Sequence, residues 1–189
     1  MPPNFEFGGF RSRPDGEDDE LADYVCDGTA HRAQLVAYSR TYIVFDERNQ
    51  LVGYCSLLAD ALKLEVGDHD SNLPEYESAP AIKIARLAVS VVRQGAGYGQ
   101  AILDWVVREA ATIGRRIGVR FITLESVPDK VSWYQSYGFA LVTTTLPSAE
   151  ATPESGERAM RLDLGRLSER RIESEYFGKT KTRKPGKRR

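Results

Sequence analysis

Hydrophobic positions along the chain change period several times, and each change predicts an element. Leu21, Tyr24 and Val25 recur at helical spacing behind an acidic first turn, which predicts a helix from Glu17 that Asp27-Gly28 ends. Thr29 is read as the cap of a second helix carrying Ala30, Ala33, Leu35, Val36 and Ala37. Thr41 to Phe45 (TYIVF) is a strand, Asp46 to Gln50 a polar turn, and Leu51 to Leu58 the returning arm of a hairpin. Asp60 to Pro80 then runs without periodicity past Gly67 and Pro74, either as a wall of a substrate site or as a surface excursion. A run rich in Ile, Leu and Val, interrupted by Lys83 and Arg86, predicts a strand from Ile82 that Arg93-Gln94 ends. Ile102, Val106, Ala110 and Ile113 form the apolar stripe of a helix closed by Gly114 and Gly118.

The second half is shorter-waved. Arg120 to Glu125 (RFITLE) is a strand with Phe121, Ile122 and Leu124 all apolar, the mark of burial on both faces. Asp129 is read as the cap of a short helix through Tyr137, with Gly138 as its left-handed C-cap. Phe139 to Leu146 and Ala159 to Leu164 are two strands joined by a polar loop from Pro147 to Glu157, suggesting an antiparallel closing pair. The alternation of strands and helices predicts an α/β fold: a mixed, twisted sheet with helices on both faces. The expected boundaries are an N-terminal segment over 1–16 without clear periodicity, one domain over 17–166, and a C-terminal extension over 167–189. Phe5, Phe7 and Phe10 in the first segment are expected to pack onto the domain, at a place the pattern does not give.

The join between the central strand and the long helix carries the chemistry. Gln94-Gly95-Ala96-Gly97-Tyr98-Gly99 places three glycines at alternate positions between a strand and a helix N-terminus. Glycine accepts positive φ and close backbone approach, while the first helical N–H groups have no intrahelical partner and carry the positive end of the dipole. A pyrophosphate suits such a site. No Gly-Lys-Ser/Thr follows, so this is not a nucleoside-triphosphate loop, and the glycine spacing does not fit G-x-G-x-x-G either.

Composition narrows the setting. The chain has 189 residues, 41% of them hydrophobic, enough for one core. No apolar run approaches the roughly 18 residues of a membrane span, and Met1-Pro2-Pro3-Asn4 lacks the regions of a signal peptide. Cys26 and Cys55 stand without C-x-x-C spacing and only His31 and His69 are present, which argues against a disulfide framework or a metal site and for a reducing cytoplasm. Net charge is −1, yet seven basic residues and no acid lie in Gly178 to Arg189. This tail is expected to be disordered and able to contact polyanions, or to act only as a solubilising tail.

Arg86-Leu87-Ala88-Val89 followed by Gln94-x-x-Gly97-x-Gly99 resembles the acetyl-CoA motif (R/Q-x-x-G-x-G/A) of the GNAT superfamily of N-acetyltransferases, and Tyr134-x-x-x-Gly138-Phe139 resembles its later Tyr-x-x-x-Gly-Phe. The resemblance implies a GNAT-like fold with splayed central strands and acetyl-CoA as cosubstrate. It places the ligand on the backbone of Leu87, Ala88 and Val89 and on the turn formed by Gln94, Gly95, Ala96, Gly97, Tyr98, Gly99 and Gln100. It implies Tyr134 as general acid toward the leaving thiolate, and a backbone N–H near Val89 polarising the thioester carbonyl. Glu125 is either a base acting through a water or a solvated strand end; Arg86 either pairs with a buried acid or faces the acceptor.

A narrower similarity spans roughly Leu21 to Phe139: Thr41-Tyr42-Ile43-Val44, then Val52-Gly53-Tyr54-Cys55-Ser56-Leu57, then Leu73-Pro74-x-Tyr76 and Pro80 ahead of the central strand. It is similar to the toxin-type GNAT proteins of bacterial toxin–antitoxin pairs, which acetylate the amino acid on a charged tRNA. That similarity implies aminoacyl-tRNA as acceptor and a DNA-binding antitoxin as partner; the sequence does not give the oligomeric state, and a homodimer is left open. Ser90, Cys55 and Val127 depart from the usual Asp, Tyr and Asn of these families. An α-amino group titrates near ~7.7–8.0, so such an acceptor needs no strong base, unlike a lysine amine near ~10.4. The other readings are an enzyme acetylating a small amine or protein N-terminus, and a non-catalytic protein binding coenzyme A or an antitoxin; the presence of Tyr134 argues against the last.

Overall fold

The computed structural model describes residues 7, 9–14, 19–64, 76–142 and 156–167. Phe5, residues 65–75 and 143–155, and the basic tail over 178–189 lie outside the described residues. Among the described residues six strands form one sheet in the order β1-β2-β3-β4-β6-β5. They are β1 (Arg40–Phe45), β2 (Leu51–Lys63), β3 (Ser78–Val89), β4 (Phe121–Ser126), β5 (Ala140–Leu141) and β6 (Arg158–Asp163). The helices are α1 (Glu20–Cys26), α2 (Thr29–Leu35), α3 (Tyr98–Ile117) and α4 (Val131–Ser136). Among the described residues only β3 and β4 run parallel, because α3 crosses between them, and the other pairs are antiparallel. The closing pair is antiparallel as expected, with β6 inserted between β4 and β5.

Helices cover both faces. Ile102, Leu103, Val106, Val107 and Ala110 of α3 pack with Tyr134 of α4 on a face built from Cys55, Leu57, Ile82, Ile84, Ile122 and Leu124. Leu103 and Val106 are fully buried, each such side chain contributing about 1.5–3 kcal/mol. On the opposite face Ala22, Tyr24, Val25 and Ala30 of α1 and α2 pack with Tyr54 and Ala88. Phe121 to Leu124 are all buried, as their apolar pattern predicts.

Several boundaries differ from the sequence pattern for local reasons. β2 continues to Lys63 and β3 begins at Ser78, so both ends of the expected loop from Asp60 are strand. Asp60 obscured this, since its carboxylate sits in the sheet accepting a bond from the Thr123 hydroxyl at 2.5 Å. β3 ends at Val89, not at Arg93; Val91–Arg93 is a 3-10 turn. Thr29 does not cap α2. Gly28 occupies that position at φ +81, and the carboxylate of Asp27 accepts from the Thr29 N–H at 2.7 Å. Asp129 does not cap α4 either: it pairs with Lys130 at 2.8 Å inside a 3-10 turn, and α4 starts only at Val131. Gly138 does take the left-handed conformation after α4, at φ +93, with its N–H on the Gln135 carbonyl.

Candidate active site

The site begins with an irregularity in β3. Ser56 pairs with Arg86 and Leu57 with Ile84, leaving Ala85 as a bulged residue. The bulge reverses the side-chain alternation: Ile82 and Ile84 face α3, then Leu87 and Val89 do so, while Ala88 faces α1. It also bends the strand at the point where its pairing with β4 stops. β3 and β4 pair only from Ala81↔Phe121 to Ile84↔Leu124, after which β4 continues alone with β6 through Ser126. The second half of β3 therefore leaves β4, as the resemblance implies, and one edge of its backbone faces a gap.

Alternation assigns the groups on that edge. Ser90 donates its N–H to the Val52 carbonyl at 2.8 Å, so the backbone groups of Ala88, two residues earlier, also point to β2. Those of Leu87 and Val89 point the other way, toward the gap. Of the three strand residues that the resemblance assigns to the ligand, Leu87 and Val89 thus turn backbone groups to the gap, and Ala88 offers a buried methyl to the opposite cluster. Gly53 keeps β2 against this half of β3, since a Cβ there would collide with the Ala88 carbonyl oxygen.

The turn follows. Gly95 and Gly97 lie at φ +78 and +85, a region that L side chains rarely adopt. Gly97 caps α3 with no side-chain bond, and the first bonded helical amide is Ala101, to the Gly97 carbonyl. The N–H groups of Tyr98, Gly99 and Gln100 have no partner among the described residues. Gly99 is helical, not left-handed; a Cβ there would meet the Trp133 ring at 3.7 Å and Val89 Cγ2 at 3.8 Å. Gln94 plays a different part. Its side-chain amide donates to the Val89 carbonyl at 3.1 Å and to the Ser12 carbonyl at 2.7 Å. The Val89 carbonyl is thereby occupied, which leaves its N–H as the group turned to the gap. Gln94 shapes the turn from within, while Gly95, Ala96 and Gly97 form its exposed rim.

The bond to Ser12 reveals a support that sequence reasoning missed. Phe7 and Phe10 are buried beside Tyr54, and the Arg11 carbonyl accepts from the Val91 N–H at 2.8 Å. Asp19 anchors this arm: buried at the N-cap of α1, its carboxylate accepts from the Ser12 N–H and hydroxyl, the Arg13 N–H and the Ala22 N–H. Burial raises the Asp19 pKa, but these bonds outweigh it and hold the group below its ordinary value. A depressed carboxyl contributes stability above its unfolded pKa, near ~3.9, and loses it as pH falls through the folded value. Asp19→Ala should lower stability in urea denaturation at pH 7 by about 2 kcal/mol, through the lost cap and orphaned amides, with the gap to wild type narrowing below pH ~4. An unchanged midpoint would show that the arm is not held this way.

Tyr134 lies on α4, the helix that follows β4. Its ring is buried between Trp133, at 4.7 Å between centroids, and Phe139, at 5.6 Å. Its hydroxyl has no hydrogen-bond partner among the described residues, yet no buried polar side-chain atom there lacks one, so the hydroxyl is the part that reaches the surface. Burial, with Cys55 nearby, pushes its pKa up to about 12, which keeps the phenol protonated at neutral pH. Trp133 touches both Tyr134 and the Gly99 position, and so ties the tyrosine to the turn. Glu125, at the end of β4, is exposed and paired with Lys83 at 3.3 Å. Arg86 lies over the Tyr24 ring at 4.1 Å and has no carboxylate partner among the described residues. No group of three His, Cys, Asp or Glu among the described residues could hold a metal, and no helix there is long and apolar enough to cross a membrane.

The acetyltransferase (GNAT) domain family model matches residues 38–141, more than half of the chain. The protein belongs to the GNAT acetyltransferase family. It is an acetyltransferase that uses acetyl-CoA, and the glycine cradle with its unpartnered amides fits the pyrophosphate of that molecule. No curated protein matches the chain. Among solved structures, the acetyltransferase is similar to a bacterial toxin at TM-score 0.68 and 17% identity, over 84% of this chain and 83% of that one. It is similar to AtaT complexed with acetyl-methionyl-tRNAfMet at TM-score 0.67 and 18% identity, over 84% and 87%. AtaTR bound with acetyl-CoA aligns at TM-score 0.66 and 17% identity, over 88% and 91%. At these identities the likeness is one of fold.

Proposed function

We propose that this acetyltransferase transfers acetyl to the α-amine of an amino acid esterified to tRNA. The observation that carries the reading is the pairing of Glu125, the described carboxylate at the end of β4, with Lys83, which takes it from the role of a free base. An α-amine near ~7.7–8.0 is already partly neutral and needs no such base, whereas a lysine amine does. The fold of AtaT, seen with acetyl-methionyl-tRNAfMet, supports the same class of acceptor. A DNA-binding antitoxin as partner and a cytoplasmic setting follow from the same reading.

Each residue then has a task. Acetyl-CoA supplies the activated acetyl group as a thioester. The amides of Tyr98, Gly99 and Gln100, presented by Gly95, Ala96 and Gly97, hold the pyrophosphate at the positive end of α3. Leu87 offers strand-edge groups along the gap, and the Val89 N–H is placed to polarise a carbonyl oxygen. Attack of the neutral amine would form the C–N bond as the thioester C–S bond breaks. Tyr134 would give its Oη proton to the departing sulfur, and the proton released from nitrogen would pass to solvent and restore the phenol.

Labelled acetyl-CoA incubated with a charged tRNA pool should yield acetylated amino acids, identified by mass spectrometry after release. Acetylation of free polyamines or peptide N-termini, with none on any charged tRNA, would replace this reading with that of a small-amine or N-terminal acetyltransferase.

A further inference from the structure

We infer that Arg86 forms a phosphate-accepting subsite for the acceptor, its guanidinium taking a phosphodiester oxygen of the nucleotide that carries the amino acid. This rests on the aminoacyl-tRNA reading above. An arginine in the middle of an apolar strand is costly unless something meets its charge. The neighbouring ionic groups are already matched: Lys83 with Glu125, Arg120 with Asp163, and Arg93 with Asp46. Arg86 alone among these cations has no acid, and it donates no hydrogen bond among the described residues.

The fold holds that unmatched charge in place. The bulge at Ala85 turns Arg86 to the α1 face, on the first paired residue after β3 leaves β4. There its guanidinium lies on the Tyr24 ring at 4.1 Å. Tyr24 is itself pinned, its hydroxyl 3.1 Å from Ser39 Oγ and 3.2 Å from Ser56 Oγ, with Thr41 donating to Ser56 at 3.3 Å. Half-buried Arg86 leaves no polar atom both buried and unpartnered, so its N–H groups open outward. A ring under one face and a free donor edge is the presentation that suits a planar fork to an anion. Arg86 lies three strand residues before Val89, a separation of about 10 Å. That places an anion site on the α1 face, one nucleotide's reach along the strand from the gap where the amine must arrive. The end of a tRNA offers phosphates there and no carboxylates.

The test compares two small acceptors: the aminoacyl ester of adenosine, and the same ester of adenosine 5′-monophosphate, each charged with the amino acid that the tRNA assay identifies. Wild type should favour the phosphate-bearing ester in kcat/KM by about 10- to 100-fold, the range of a charge-assisted bond. Arg86→Gln should bring that ratio near one, and Arg86→Lys, which keeps charge without the fork, should fall between. Titration with acetyl-CoA checks that each variant is folded, and Arg86→Lys carries the test should Arg86→Gln fail to fold. A wild-type ratio near one, or a preference that survives both substitutions, overturns the proposal while leaving the tRNA reading intact. Failure of wild type to acetylate any charged tRNA overturns the reading and the subsite together.

Discussion

Tyr134→Phe should lower kcat by roughly 10²- to 10⁴-fold, the contribution of a positioned general acid, with little change in acetyl-CoA affinity. The substitution removes one oxygen and keeps the ring, so the edge contacts with Trp133 and Phe139 persist and the fold should too. The hydroxyl is the exposed part of a buried side chain, and its loss opens no cavity in the core. Its raised pKa adds a second signature. A phenol titrating at about 12 stays protonated through the neutral range, so it should impose no falling limb on kcat/KM until pH approaches that value. The rising limb should instead follow the acceptor amine, near ~7.7–8.0 for an α-amine. Near-normal turnover in the variant would show that another group or water delivers the proton.

Gly97→Val should weaken coenzyme A binding by about 10- to 100-fold in calorimetry, the worth of one or more charge-assisted bonds. Gly97 lies at φ +85 immediately before α3, and a β-branched residue there is strained by ~1–2 kcal/mol even though a Cβ meets nothing within 4 Å. Relief of that strain moves the amides that follow. The strain argument does not extend to Gly99, which is helical, and where a methyl makes only ordinary contact with Trp133 and Val89. Gly99→Ala should therefore bind coenzyme A better than Gly97→Val does. Acetyl-pantetheine, which lacks the pyrophosphate, should show no comparable loss in Gly97→Val. Equal affinity of wild type and Gly97→Val for coenzyme A would remove the turn from the binding site.

Much of this was legible along the chain because it depends on local chemistry. The glycines at 95 and 97 sit between a strand and a helix, and positive φ at such a join needs glycine whatever surrounds it. The stripe of Ile102, Val106 and Ala110 reads as a buried helix face because period 3.6 is a property of the backbone itself. Phe121 to Leu124 read as an interior strand for the same kind of reason. Gly138 after α4 belongs with these, following from residue type and position, whereas Tyr134 stood out only through the resemblance to the family motif.

Other features came only from residues distant in sequence meeting in space. The bulge at Ala85 has no composition of its own, since it arises from the register of β2 against β3, and it alone turns Arg86 from the α3 face to the α1 face. The N-terminal arm lacks periodicity because its structure is made by bonds to Asp19, Val91 and Gln94 rather than by its own backbone. The ion pair of Glu125 with Lys83 also has no local signature, since only the parallel pairing of β3 with β4 brings the two alongside. Local propensities and periods determined most of the elements and the glycine turn, while the tyrosine was singled out by the resemblance to the family motif. Pairing register and the packing of distant segments decided where the strands part, what supports the turn, and which charges remain unmatched, because those quantities depend on contacts that no single stretch of sequence contains.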